Sequence, residues 1–253
     1  MLSIIYLVQD ILDFGAKIYR KILKINVDYR QILFGDLLEY LPPPFLPARV
    51  MEIGPRDLQD TKRLLSLNCS KLSLVDLPDK KAGLLKLLKD IDDDCLELII
   101  GNIMYDDNAF KQEPFDLIWC TGVLYHNPEQ LRMICLLRQK LNPGGVLVLE
   151  SATARRTNNR SQACVEIWHH ESDKAHRKHH VSRNVTHLPS SSAIEAWLNL
   201  AGFEDILKSK CHKKVSYKLN STRAAFIARK SFKVESESYY SHTDLNYEIG
   251  KSL

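Results

Sequence analysis

Short apolar runs alternate with longer segments of mixed polarity through the middle of the chain. The apolar runs predict strands and the mixed segments predict helices. The predicted strands are ARVMEI (48–53), KLSLVD (71–76), CLELII (95–100), FDLIWC (115–120) and GVLVLES (145–151), and the predicted helices span 57–67, 80–91 and 128–141. This alternation indicates a parallel sheet covered by helices on both faces.

The first 25 residues carry apolar side chains three and four positions apart, which predicts an amphipathic helix. Asp10 and Asp13 interrupt the apolar run, which is shorter than the roughly 20 residues of a membrane span. Four prolines between positions 42 and 47 cannot continue a helix and predict a boundary. We therefore predict a helical N-terminal extension or lid over residues 1–45 that packs on the main domain.

The alternation of strands and helices stops after Ser151. Residues 152–187 are polar and rich in histidine, show no clear period, and are interpreted as a substrate-side insertion. A helix over 190–201 follows, and the apolar segments 203–210 and 222–230 predict a hairpin that closes the edge of the sheet. The main domain is thus predicted over residues 46–231, with a polar tail at 232–253.

Positive charge is concentrated in the later part of the chain. The 253 residues carry a formal charge of +4, yet residues 151–230 hold 15 Lys and Arg against 6 Asp and Glu. This surplus favours an anionic partner for that part. The six cysteines are at least fifteen residues apart, so they form no close pair for a metal, and they indicate a reduced, cytoplasmic protein.

The residues that follow the predicted strands are the candidate ligand contacts, because ligands of open α/β sheets bind beyond the carboxyl ends of the strands. Asp76 lies 22 residues after Gly54, a spacing typical of a carboxylate that accepts hydrogen bonds from ribose. A plain strand end and a helix-capping turn are the alternatives for these two positions. The candidate contacts are Glu52, Gly54, Pro55, Asp76, Leu77, Asn102, Ile103, Thr121, Gly122 and Tyr125.

The loop after the first strand, EIGPRDLQD (52–60), contains a single glycine. A dinucleotide needs its pyrophosphate held by glycines at a helix N-terminus, and the carboxylates of Asp57 and Asp60 would repel it. S-adenosylmethionine has a ribose and an adenine but no phosphate, and an acidic loop would favour its sulfonium and amino groups. The loop therefore favours S-adenosylmethionine as the cofactor.

The segment FDLIWCTGVLYHNPEQLRMICLLRQKLNPGGVLVLES (115–151) closely resembles the fourth and fifth strand region of class I S-adenosylmethionine-dependent methyltransferases. The resemblance runs from about residue 49 to 230. It implies an α/β fold with a Rossmann-like, doubly wound, mostly parallel seven-stranded sheet and an antiparallel C-terminal hairpin strand, here preceded by the helical extension. It also implies S-adenosylmethionine as the cofactor.

Two further segments, GVLYH (122–126) and RNVTHLPSSSAIEAWLNLAGFEDI (183–206), look like the methyltransferase domain of tRNA wobble-uridine carboxymethyltransferases and their relatives. Those enzymes transfer an alkyl group to the 5-oxygen of a hydroxyuridine in the anticodon. We carry over the fold and the cofactor from this resemblance. The tRNA substrate and the carboxylated form of the cofactor are not carried over.

Methyl transfer from a sulfonium is an in-line displacement, and an oxygen or nitrogen acceptor must also lose a proton. Histidine suits that role near neutral pH, so His126, His169 and His170 are the candidate bases. The alternative for His126 is a loop residue that shapes the methionine pocket. The histidine-rich segment has no pair of histidines four residues apart with a catalytic glutamate between them, and no metal is expected.

The predicted function is methyl transfer from S-adenosylmethionine to an oxygen or nitrogen atom of a small-molecule acceptor. We favour this acceptor over tRNA because the basic region is poor in the aromatic side chains that stack on unpaired bases. A tRNA-modifying alkyltransferase and a non-catalytic binding protein are the alternatives. The sequence does not define an oligomeric state.

Overall fold

A computed structural model describes residues 28–41, 43, 46–89, 91, 93–105, 113–154, 162–169, 185–212 and 223–232. The helix predicted in the first 25 residues and almost all of the predicted C-terminal tail lie outside these ranges. Among the described residues, no helix is both long and apolar enough to cross a membrane.

The described helices are α1 (Tyr29–Tyr40), α2 (Gln59–Leu65), α3 (Lys81–Leu88), α4 (Gln130–Gln139) and α5 (Ser191–Leu200). The described strands are β1 (Arg49–Ile53), β2 (Lys71–Asp76), β3 (Leu96–Ile100), β4 (Phe115–Thr121), β5 (Leu141–Ala152), β6 (Val165–His169), β7 (Val185–Pro189), β8 (Phe203–Lys208) and β9 (Arg223–Lys230). Short 3₁₀ turns occupy Pro78–Lys80 and Leu124–His126.

Seven strands form one sheet in the order β3-β2-β1-β4-β5-β9-β8. The first five strands are parallel, whereas β9 pairs antiparallel with both β5 and β8. This sheet confirms the predicted fold: mostly parallel and doubly wound, with an antiparallel C-terminal hairpin. The strand order reverses between β1 and β4, because β2 and β3 lie on one side of β1 and β4 and β5 lie on the other. Open α/β sheets bind ligands at such a reversal.

The central strands are buried on both faces, which is why they appear as continuous apolar runs in the sequence. Side chains of β1 alternate between the two cores. Met51 and Ile53 belong to the core under α4 and α5. Val50 belongs to the core that contains residues of α1, α2 and α3. Glu52 therefore points to the second face, away from its sequence neighbours Met51 and Ile53.

Helix α1 belongs to the region predicted as an extension, and its described part packs directly on the sheet. Leu33, Phe34 and Leu37 are buried in the core of that face. The Asp28 carboxylate caps the helix, accepting hydrogen bonds from the backbone nitrogens of Arg30 at 2.9 Å and Gln31 at 3.3 Å. The first turn of α1 is thereby stabilised.

The histidine-rich passage contains regular structure that was not predicted. Strands β6 and β7 pair antiparallel and form a separate two-stranded sheet. The interpretation of 152–187 as a passage without a period was therefore wrong for Val165–His169. Val165 and Ile167 do alternate with Glu166, but five residues are too short a run to stand out within a basic segment.

Candidate active site

A cavity of about 900 Å³ lies at the carboxyl ends of β1, β2, β3 and β4. Residues of α1 and the first residue of β9 complete its wall. The cavity therefore occupies the position where the sheet reverses its winding direction, as expected for a ligand site of this fold.

Most of the predicted cofactor contacts line this cavity, together with one predicted base. They come from loops that are distant in sequence and converge because parallel strands end at the same edge of the sheet. The predicted residues on the wall are Gly54, Pro55, Asp76, Leu77, Asn102, Ile103, Thr121, Gly122, Tyr125 and His126.

Gly54 closes β1 in a backbone conformation that favours glycine, with φ of +74°. Its nitrogen donates a hydrogen bond to the Val75 carbonyl at 2.9 Å, which ties the loop to β2. A Cβ atom at this position would lie 2.8 Å from Cγ2 of Val123. The single glycine of the loop is thus required both by its backbone angle and by the close approach of the loop after β4.

Asp76 ends β2 with its carboxylate on the cavity wall. The carboxylate accepts a hydrogen bond from the Leu77 nitrogen at 2.8 Å, and burial raises its pKa. On the next strand, the Asn102 side chain accepts a hydrogen bond from the Met104 nitrogen at 2.9 Å. Asn102 therefore shapes the loop with its oxygen, and its side-chain nitrogen remains the group available to donate.

Glu52 is the predicted cofactor contact that the structure does not bring to the cavity wall. Its side chain is 3% exposed and accepts a hydrogen bond from the Thr61 hydroxyl at 2.6 Å. Burial raises its pKa to about 8. Because Glu52 alternates with Met51 and Ile53 on β1, it faces the α2 side of the sheet instead of the strand end.

Asp60 does not place its negative charge in the cavity. The electrostatic argument made from the sequence is therefore corrected for this residue. Its carboxylate is 2% exposed and accepts hydrogen bonds from the Trp119 indole at 3.0 Å and the Thr121 hydroxyl at 3.2 Å. Arg30 and Arg63 lie 3.1 Å and 2.8 Å from it. Asp60 is therefore a neutralised structural carboxylate.

Arg223 is the first residue of β9 and lines the cavity. Sequence reasoning missed this residue. The buried carboxylate of Glu150, at the end of β5, binds this guanidinium through both oxygens and lies 3.1 Å from Nε2 of His212. Burial raises the pKa of Glu150, but its contacts with Arg223 and His212 outweigh this and lower the pKa to about 2. No sequence signal links residues 150 and 223.

Tyr125 and His126 lie in the 3₁₀ turn after β4, with ring centroids 4.1 Å apart. The Arg223 guanidinium lies 5.6 Å from the centroid of the Tyr125 ring. His126 thus lies beside an aromatic ring, and the Arg223 cation lies over that ring. Of the other predicted bases, His169 ends β6 with a side chain outside the described part of the structure, and His170 lies outside it altogether.

Tyr29 and Arg30 are two further wall residues that sequence reasoning missed, since they belong to the segment interpreted as an extension. The Tyr29 ring packs against His212 at a centroid distance of 4.5 Å. On the opposite rim, the Tyr105 hydroxyl donates to Glu129 at 2.6 Å and joins the loop after β3 to the start of α4. These contacts hold two segments of the cavity wall against neighbouring parts of the chain.

The cavity suits S-adenosylmethionine in size and in the type of its polar groups. A volume of about 900 Å³ is near the upper end for small-molecule sites and is sufficient for the cofactor with a small acceptor. Asp76 is the one carboxylate on the described wall, as expected where a carboxylate accepts hydrogen bonds from ribose hydroxyls. No group of three or more potential metal ligands occurs among the described residues.

Comparison with known proteins assigns the chain to a family. The profile of a methyltransferase domain family matches residues 27–208. The chain belongs to this family. The match begins before α1, so the family region includes the described part of the predicted extension. The predicted enzyme class and cofactor class, a class I S-adenosylmethionine-dependent methyltransferase, are confirmed at the level of family and fold.

Two curated relatives share sequence with part of the methyltransferase. A tRNA U34 carboxymethyltransferase from Chromohalobacter salexigens is 38% identical over 96 residues, which are 38% of this chain and 26% of that protein. A similar enzyme from Vibrio parahaemolyticus is 33% identical over 96 residues, again 26% of its length. The chain thus matches about a quarter of the length of these curated relatives.

Solved structures share the fold of the methyltransferase at low sequence identity. An S-adenosylmethionine-dependent methyltransferase from Mesorhizobium loti has a TM-score of 0.57 and 14% identity, covering 79% of this chain and 98% of that one. The 1,6-didemethyltoxoflavin N1-methyltransferase from Burkholderia thailandensis has a TM-score of 0.54 and 14% identity, covering 90% and 89%. These similarities concern the fold alone.

Proposed function

We propose that the methyltransferase transfers the methyl group of S-adenosylmethionine to an oxygen or nitrogen atom of a small-molecule acceptor. The observation that carries the proposal is the convergence of four strand ends on one cavity of about 900 Å³. This volume supports a cofactor and a small acceptor bound together.

The cofactor is proposed to lie across the strand ends, with its adenosine part at β3 and β2 and its methionine part at β1 and β4. Leu77, Asn102 and Ile103 contact the adenine end, and the Asp76 carboxylate accepts hydrogen bonds from the ribose. Gly54, Pro55, Thr121, Gly122 and Tyr125 surround the methionine end, where the two glycines have φ of +74° and +76°. Glu52 acts indirectly in this proposal, because its buried carboxyl accepts a hydrogen bond from Thr61 beneath the loop.

When bound, S-adenosylmethionine supplies a methyl carbon activated by the sulfonium. The residues of the chain orient the acceptor in line with that carbon and remove its proton. His126 is proposed as the base because it lies on the wall beside Tyr125, at the methionine end. His169 and His170 stay predictions.

A second candidate function is carboxymethyl transfer to tRNA. Two observations favour it: the partial relatives are tRNA U34 carboxymethyltransferases, and the Arg223 guanidinium lies on the cavity wall, where a carboxylate on the transferred group would meet it. The basic surplus in residues 151–230 agrees with a phosphate-rich partner. Within this candidate, Glu150 orients the arginine that selects the carboxylated donor.

Two binding experiments separate the candidates. Titration with S-adenosylmethionine and with its carboxylated form shows which donor binds more tightly. Titration with bulk tRNA at low and moderate salt detects an RNA substrate, since phosphate contacts weaken steeply with salt. Tight, salt-sensitive tRNA binding together with a preference for the carboxylated donor would replace the small-molecule proposal.

The free state of all six cysteines supports a cytoplasmic location for either activity.

A further inference from the structure

Arg56 lies on the cavity wall two residues after Gly54, in the loop that joins β1 to α2. Its side chain is exposed. Within the described part of the chain, no carboxylate lies within ion-pair distance of its guanidinium. The cavity wall beside Gly54 therefore carries an arginine with no carboxylate partner among the described residues.

The other cations of the described wall have carboxylate partners within the protein. Arg30 lies 3.1 Å from Asp60, and Lys80 lies 2.9 Å from Asp79. Arg223 is bound by the buried Glu150. Because each of these charges is offset locally, Arg56 supplies the unbalanced positive charge at the β1 end of the cavity.

The proposed order of the cofactor determines which of its groups meets Arg56. Asp76 and Asn102 lie at the ends of β2 and β3, so the adenosine part occupies that side of the cavity. Gly54 and Gly122 lie at the ends of the adjacent strands β1 and β4, so the amino-acid part extends over these two glycines. Its carboxylate is the one anionic group of S-adenosylmethionine at neutral pH.

We infer that the guanidinium of Arg56 binds the carboxylate of the amino-acid part of S-adenosylmethionine. The inference rests on the proposed function, because it assumes that the cofactor occupies this cavity. A planar guanidinium donates two parallel hydrogen bonds to a carboxylate, which fixes its orientation as well as its position. Arg56 thus compensates for a loop in which Pro55 has no backbone N–H to donate to this group.

The test compares two ligands that differ in the amino-acid part. S-adenosylhomocysteine carries the carboxylate, whereas 5′-methylthioadenosine has the same adenosine and sulfur without it. In titration calorimetry, Arg56→Met is expected to weaken S-adenosylhomocysteine by about five- to tenfold, a typical loss for a charge-assisted contact at an exposed site. The affinity for 5′-methylthioadenosine is expected to change less than about twofold. Arg56→Lys is expected to restore part of the affinity, since it retains the charge without the fork.

Lys86→Met is the matched control, because Lys86 is an exposed cation on α3 that does not line the cavity. It removes the same charge and is expected to leave both affinities unchanged. Rising salt should reduce the difference between wild type and Arg56→Met through screening. Equal weakening of both ligands, or of neither, would overturn the inference while leaving cofactor binding intact. Failure of wild type to bind either ligand would instead overturn the proposed function, and the inference with it.

Discussion

The carboxylate of Asp60 accepts a hydrogen bond from the Trp119 indole at 3.0 Å, although the two residues lie 59 positions apart. Asp60 lies in α2 and Trp119 in the middle of β4, so the contact fastens the helix after the first loop to the centre of the sheet. The position of the cofactor loop therefore depends on a buried charge that is held by both helix and sheet.

Replacing Asp60 should destabilise the fold. Asp60→Ala leaves the buried Trp119 nitrogen without its acceptor and removes the carboxylate that neutralises Arg30 and Arg63. Removing one partner of a buried ion pair costs about 3–5 kcal/mol. Urea denaturation should show a fall of this order in the free energy of unfolding. A change below about 1 kcal/mol would show that Asp60 does not anchor the loop.

Replacing Asp76 should weaken cofactor binding without unfolding the protein. If its half-buried carboxylate accepts the ribose hydroxyls, Asp76→Ala should weaken S-adenosylhomocysteine by roughly 1–3 kcal/mol, the range for hydrogen bonds to a charged group. Asp94→Ala is the matched control, because Asp94 is exposed in the turn before β3 and does not line the cavity. Equal affinities of wild type and Asp76→Ala in calorimetry would remove Asp76 from the site.

Replacing Gly54 by alanine should lower the stability of the protein, whereas replacing Gly35 of α1 by alanine should not. In Gly54→Ala the added Cβ would lie 2.8 Å from Val123, and a φ of +74° costs an L-residue about 1–2 kcal/mol. Both stability and cofactor affinity should fall. Gly35→Ala places its Cβ in open space within a helix and should stabilise by roughly 0.5–1 kcal/mol. Equal melting temperatures for the two variants would contradict this assignment of the strain.

The stability of the protein should contain a pH-dependent contribution from Glu52. Burial raises its pKa from 4.5 to about 8, so the native state retains a proton that the unfolded state releases. This contribution is fully present below about pH 4.5 and is lost as the pH rises towards 8. The glutamine in Glu52→Gln stays neutral at every pH. The free energy of unfolding of this variant should therefore rise relative to that of wild type between pH 5 and 8. A difference between the two that stays constant over this range would show that Glu52 is ionised in the native state.

The strand ends of the site could be predicted from the sequence because the strands are buried on both faces and appear as continuous apolar runs. Asp76 and Gly122 follow such runs, so their convergence follows from the parallel sheet. Local charge patterns were less informative. Asp60 was interpreted as facing the cofactor because it lies in an acidic loop, whereas tertiary contacts with Arg30 and Trp119 bury it.

Contacts between distant segments could not be predicted. The pairing of Glu150 with Arg223 arises because β9 inserts beside β5, and neither residue has a local signal for the other. Tyr29 was assigned to an extension because a proline-rich segment separates it from the first strand, yet its helix packs on the sheet and Tyr29 reaches the cavity. The short strand β6 was missed because five residues define a period poorly.

We expect the cavity at the ends of β1 to β4 to bind S-adenosylmethionine. Titration calorimetry of the folded protein with S-adenosylmethionine and S-adenosylhomocysteine measures this binding. Both ligands should give saturable heat with one site per chain, weakened by Asp76→Ala and unchanged by Asp94→Ala. No detectable heat with either ligand, on protein shown by circular dichroism to be folded, would contradict it.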